Sequence, residues 1–174
     1  MKASVFIATS VDGFIARPDG DLDWLPGGDV EDHGYDAFML TVDMIVMGRG
    51  TYEKVLTFGD WAYGETPVVV LTSNPASLPT PPAPTISAMG GSPQEIVAAL
   101  QKRGATSLYI DGGVTIQRFL AAGLIQRVII TRVPVVLGRG RPLFGELDHD
   151  VRLRHVSSRA FDSGLVQSEY EVLV

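Results

Sequence analysis

The chain has 174 residues, 14 Lys and Arg against 20 Asp and Glu for a formal net charge of −6, and no cysteine. The acidic balance argues against a nucleic-acid partner, which needs clustered cations. The missing thiols exclude disulfide frameworks, thiol nucleophiles, Fe–S clusters and cysteine-based zinc sites. The first ten residues turn polar after Ala8, too early for a signal peptide, and no apolar run approaches the ~20 residues of a membrane helix. The expectation is a soluble, cytoplasmic protein forming one domain over residues 1–174. Its partner is expected to be a small molecule, with no membrane contact.

Taken in chain order, Ala3–Thr9 is a short apolar run closed by Ser10 and the Asp12-Gly13 turn, and it predicts a buried strand. Tyr35, Phe38, Met39 and Val42 follow helical spacing. Residues 44–47, 67–72, 107–110 and 127–133 predict further strands. Their near-continuous Val, Ile and Leu suit strands covered on both faces of a mostly parallel sheet. Pro75 to Pro84 carries five prolines and predicts an extended surface connection. Ser92-Pro93-Gln94-Glu95 is a capping box with proline at the first helical position, and Gly104 suits the far end of that helix. Ile116 to Ala122 predicts another helix, stopped by Gly123. Around Asp162-Ser163-Gly164 the pattern becomes a hairpin in which Val166, Tyr170 and Val172 alternate with Gln167, Glu169 and Glu171. The fold class is α/β, with a mixed, mostly parallel sheet that ends in an antiparallel C-terminal hairpin.

Two glycine-bearing turns carry the chemistry. Met47-Gly48-Arg49-Gly50-Thr51 and Ile110-Asp111-Gly112-Gly113-Val114-Thr115 each lead from a buried strand into a helix. Such turns offer bare N–H groups and a positive dipole end to a phosphate. Neither is a Walker loop or a complete Gly-x-Gly-x-x-Gly fingerprint. With Leu71-Thr72-Ser73-Asn74 at a third strand end, they could line one crevice for a dinucleotide. Asp111 is the anomaly, because a carboxylate beside a pyrophosphate repels it unless it points away. His33, His149 and His155 show no ligand spacing, so no metal site is expected. Asp29, Glu31, Asp32 and Asp36 cluster at the start of the first helix. Asp32 falls beside its apolar stripe, where lost solvation would raise a carboxyl pKa and let it hold a proton. The competing reading of these acids is plain complementation of the helix dipole. Trp24 and Trp61 read as packing residues, and Arg139-Gly140-Arg141 as a turn that could also clamp an acidic group.

The ordered segments Ala8-Thr9-Ser10-Val11-Asp12-Gly13-Phe14-Ile15-Ala16, Ile45-Val46-Met47-Gly48-Arg49-Gly50-Thr51-Tyr52-Glu53, Val70-Leu71-Thr72-Ser73-Asn74-Pro75 and Tyr109-Ile110-Asp111-Gly112-Gly113 resemble the dihydrofolate reductase-like superfamily. The run from Gly112-Gly113 through Phe119-Leu120, Pro134-Val135-Val136-Leu137-Gly138 and Pro142-Leu143-Phe144 is most similar to the reductase domain of bacterial riboflavin-biosynthesis deaminase-reductases and its stand-alone relatives. That resemblance implies a three-layer α/β/α fold and NADPH as cofactor. By the same resemblance, Ala8 faces the nicotinamide, and Gly48, Arg49 and Thr51 meet the phosphates from one side. Gly112, Gly113, Val114 and Thr115 meet them from the other, while Leu71, Thr72, Ser73 and Asn74 lie by the adenosine end. It also implies Asp32 as the acid, with Thr131 beside it and Asp36 as a further candidate, and a homodimer.

The nominal reaction of that branch reduces 5-amino-6-(5-phosphoribosylamino)uracil, and a dihydrofolate- or pterin-type reduction is its sibling. Here Tyr52-Glu53-Lys54 follows Thr51, where the riboflavin-pathway enzymes carry an arginine-bearing loop for the ribose phosphate. The alternatives are a non-catalytic NADPH- or antifolate-binding protein, and a domain whose glycines serve turns only.

Overall fold

The computed structural model describes residues 1–27 and 32–173. In chain order the elements are β1 (Lys2–Thr9), β2 (Phe14–Ala16), α1 (Tyr35–Met39), β3 (Met44–Gly48), α2 (Arg49–Leu56), β4 (Val68–Leu71), β5 (Ile86–Met89), α3 (Pro93–Lys102), β6 (Ser107–Asp111), α4 (Gly113–Ala121), β7 (Arg127–Arg132), β8 (Arg141–Pro142), β9 (Leu153–Ala160) and β10 (Val166–Val172). Eight strands form one sheet in the order β5-β4-β3-β6-β1-β7-β10-β9, and β2 and β8 form a small separate pair. The sheet is parallel from β5 to β7, and β10 runs antiparallel to both β7 and β9. This is the mixed sheet with a C-terminal hairpin that the patterning predicts.

Helices cover both faces, which explains the unbroken apolar strands. Along β3, Ile45 and Met47 join one core with Phe38, Tyr52, Tyr109 and Ile129 on the α1/α2 side. Val46 joins the opposite core, with Ile96, Leu108, Ile116 and Phe119 under α3 and α4. The period-2 alternation of a strand sorts the side chains between the two layers. α3 begins at the predicted capping box, in which the Ser92 hydroxyl accepts the Glu95 N–H and Glu95 returns to the Ser92 N–H at 2.8 Å. Such a cap contributes about 1 kcal/mol.

Two elements depart from the periodicity. α1 ends at Met39 instead of running on to Val42, and the Thr41 hydroxyl bonds the Phe38 carbonyl at 2.7 Å in its place. A threonine bonding back to the chain in this way competes with helix continuation. β5 follows the proline-rich segment, which includes a short 3-10 turn at Pro75–Ser77 and accepts the buried Tyr52 hydroxyl at Pro79. No helix among the described residues is long and apolar enough to cross a membrane.

Candidate active site: a glycine crevice and an acidic pocket

The carboxyl ends of β3 and β6 lie side by side, with Met47 opposite Asp111, so α2 and α4 start next to each other. Neither helix has a side-chain cap; Gly48 and Gly112 stand at their N-cap positions. The helices approach so closely that glycine is required. A Cβ on Gly112, whose φ is +89°, would overlap the Thr51 hydroxyl. One on Gly48 would come within 3.0 Å of the Thr115 hydroxyl, and one on Gly113 within 2.8 Å of Ile15. Two helix N-termini without side-chain caps therefore face one space, and their dipoles add there. That cradle suits a pyrophosphate.

The cradle opens into a cavity of about 730 Å³, which runs between the 14–25 segment, α2 and the start of α4. Of the residues expected to hold a cofactor, Ala8, Gly48, Thr51, Gly112, Gly113, Val114 and Thr115 line it. Arg49, Leu71, Thr72, Ser73 and Asn74 do not. Leu71 is buried in the α3/α4-side core, and the Thr72 hydroxyl accepts the Asn74 N–H. Arg49 points along the outer rim, with its Nε 2.7 Å from Glu53 and its Nη1 2.6 Å from the Ser77 hydroxyl, which in turn donates to the Asn74 carbonyl at 3.0 Å. Ser77 thus ties Arg49, expected at the phosphates, to Asn74, expected at the adenosine end. Lys54 and Arg141 also line the cavity; Arg141 belongs to the turn read from the sequence as able to clamp an acidic group, whereas Lys54 is not among the candidates.

A second cavity of about 480 Å³ shares Phe6, Ala8 and Leu25 with the first. It contains Asp32, Asp36 and Thr131, which are far apart in sequence; Thr131 comes to the pocket because β7 pairs directly with β1, placing it opposite Ala8. Asp32 lies before α1 and not on its face, and its Oδ1 accepts the Gly34 N–H at 2.7 Å. Asp32 and Asp36 are both exposed. Asp29 and Glu31 lie outside the described residues. Gln167 donates to the Thr131 hydroxyl and to the His33 carbonyl, both at 2.9 Å. Because Thr131 accepts from Gln167, its own hydroxyl hydrogen is left to donate.

The carboxyl that burial does raise is Asp111. Phe6, Ala8, Tyr109 and Asp111 face the α1/α2 side, as does Thr131, so Asp111 on β6 and Thr131 on β7 flank the β1 row that ends in the small Ala8. Desolvation lifts the Asp111 pKa from 3.8 to about 6, against the lowering pull of hydrogen bonds from the Gly112 N–H at 2.8 Å and the Tyr63 hydroxyl. Asp111 therefore sits at the mouth of the α4 cradle, bonded to its N-cap N–H, with the phenols of Tyr63, Tyr109 and Tyr35 as electrostatic neighbours. Tyr63 had no signal in the sequence, standing in a loop 48 positions before its partner.

An eight-stranded mixed sheet with this order, a crevice at its carboxyl edge and helices on both faces is the dihydrofolate reductase-like architecture. Dihydrofolate reductase from Enterococcus faecalis, solved with NADP(H) and RAB-propyl, superimposes with a TM-score of 0.66 at 20% identity, over 98% of this chain and 96% of that one. The chain belongs to the RibD C-terminal domain family, which it matches over residues 2–167. A protein of Shewanella sp. PV-4 assigned to riboflavin biosynthesis is 41% identical, with a TM-score of 0.89 and full coverage of both chains. The uncharacterized protein YwjB of Bacillus subtilis is 36% identical over 173 residues, 97% of each chain. The family is reductase-like.

Proposed function

We propose that this protein is an NADPH-dependent reductase acting on a C=O or C=N bond of a small heterocycle. The observation that carries the reading is the meeting of two cavities at Ala8: one has a glycine-built phosphate cradle, and the other has acids and a free hydroxyl. NADPH, when bound, supplies the hydride. Gly48, Gly112 and Gly113 admit its phosphates to the two helix N-termini, and Thr51 and Thr115 add hydroxyls. Arg49, with Ser77 and Asn74, meets the adenosine end at the rim.

In the adjoining pocket, Asp32 and Asp36 accept N–H groups of the ring, and Thr131, oriented by Gln167, donates to a ring acceptor. Asp32 passes a proton to the basic atom of the substrate, directly or through water, as general acid. Among the described residues this pocket is lined by no lysine or arginine. A phosphate ester would meet two carboxylates there and no cation, so an uncharged pteridine- or pyrimidine-type ring fits better than a phosphoribosyl substrate.

The test is consumption of NADPH in the presence of uncharged pteridines and aminopyrimidines, with the phosphoribosylaminouracil run in parallel. The expected result is turnover with an uncharged ring that Asp32→Asn suppresses while NADPH binding is retained. Binding of NADPH with no turnover across the panel would leave a binding protein and remove the reductase assignment.

A further inference from the structure

Asp111 holds an unusual position for a site that takes an anionic cofactor. Its Oδ1 already accepts the Gly112 N–H, the first donor of the cradle, at 2.8 Å. Its carboxyl lines the crevice together with Tyr63, the side chain whose hydroxyl pulls its pKa down. The Tyr63 ring is fixed edge-on against Trp61 at 5.2 Å, and Trp61 against the fully buried Tyr52 at 6.1 Å. This aromatic series packs the loop that carries Tyr63 against α2, and so places Tyr63 on the wall of the crevice that Asp111 also lines.

The other groups facing this carboxyl are the phenols of Tyr109 and Tyr35, and Asp36 acts on Tyr35 in turn. The Tyr109 hydroxyl is spent on the Phe6 carbonyl at 2.9 Å. The two cations of the crevice are engaged elsewhere: Lys54 with Asp21 at 3.2 Å, and Arg141 with the Pro18 carbonyl at 3.3 Å. Among the described residues Asp111 thus has the Gly112 N–H and the Tyr63 phenol as neutral partners and no cation to balance its charge. Several phosphate charges entering the same low-dielectric space favour its neutral form further.

We propose that Asp111 and Tyr63 make cofactor binding proton-coupled: the carboxyl takes up a proton as the anionic cofactor enters, and the Tyr63 hydroxyl, by favouring the ionised form, sets the pH range in which this happens. Tyr63 is a positioning residue here, acting through Asp111. The inference rests on the cofactor assignment above and adds a property to it. Since burial already brings Asp111 to about 6 in the free protein, uptake is greatest just above that pH. It fades at low pH, where the group is protonated before binding.

Calorimetric titration of NADPH in two buffers of different ionisation enthalpy reads the proton count directly. At pH 7 the expected uptake exceeds that of Asp111→Asn, the difference being a substantial fraction of one proton. In Tyr63→Phe the pH of maximal uptake rises by about half a unit or more, because the ionised form has lost a donor. Equal proton counts in the parent and Asp111→Asn would overturn the proposal while leaving NADPH binding intact. Absence of any binding heat would instead overturn the cofactor assignment. A ligand-free arm covers that case: the 13C carboxyl resonance of Asp111, identified by its loss in Asp111→Asn, should titrate at higher pH in Tyr63→Phe. Site-specific 3-fluorotyrosine at position 63, a stronger donor, should move it lower. A resonance unmoved by either change contradicts the role of Tyr63.

Discussion

The crevice between α2 and α4 is made largely of backbone, whereas the pocket beyond Ala8 is made of side chains gathered from distant segments. In the crevice the ligand-facing groups are helix N-termini, and the specification lies in what is missing: Cβ atoms at Gly48, Gly112 and Gly113. In the pocket Asp32, Asp36 and Thr131 each supply one group, and Gln167 holds the Thr131 hydroxyl from the neighbouring strand. A backbone-built site tolerates few substitutions but takes any ligand with phosphates. A side-chain-built site can be re-specified one residue at a time, and so two proteins of one fold can share a cofactor and differ in substrate.

The largest effect that could break this comparison comes from Gly112→Ala. Its φ of +89° and the overlap with Thr51 should cost about 2–3 kcal/mol of stability and abolish NADPH binding, read by thermal melting and titration. Retained binding would show that the cradle is not the phosphate site. Next is Asp32→Asn, for which turnover should fall by about 100-fold or more with the NADPH dissociation constant unchanged.

Asp111→Asn should act on stability with a definite sign. The folded-state pKa of Asp111 is raised from 3.8 to about 6, so the folded state binds the proton more tightly and stability falls as pH rises between those values. Above pH 6 the ionised carboxyl costs at most about 3 kcal/mol. The asparagine variant should therefore melt a few degrees higher than the parent at pH 7.5 and lose that advantage near pH 4. Smallest is Thr131→Val, which leaves one amide hydrogen of Gln167 without its acceptor and should cost about 1 kcal/mol. It should weaken binding in the pocket without affecting the crevice.

The same contrast explains what was legible in the sequence. Strand–glycine–helix turns are local, so Gly48, Thr51, Gly112 and Thr115 could be placed at one edge from their flanking residues alone. The alternation of covered strands likewise gives the mixed sheet. The pocket depends on non-local pairing: Thr131 meets Ala8 only through the β1–β7 register, and Gln167 meets Thr131 only through β10. Helical phase argued for Asp32 on the face of α1, but the helix begins at Tyr35, and Asp32 reaches the pocket from the segment before it. Asp111 was visible as an oddity beside the diglycine. Its pKa is raised by burial against the lowering pull of Tyr63, and neither can be inferred from spacing.

The most direct test of the cofactor crevice is thermal unfolding with NADPH and, separately, NADH. A ligand at 100 times its dissociation constant adds about 2.7 kcal/mol, roughly 5–10 °C for a chain of this size. The account predicts a shift of that order with NADPH, larger than with NADH, and its loss in Gly112→Ala. No shift with either nucleotide would contradict it and leave the paired glycine turns with a structural role alone.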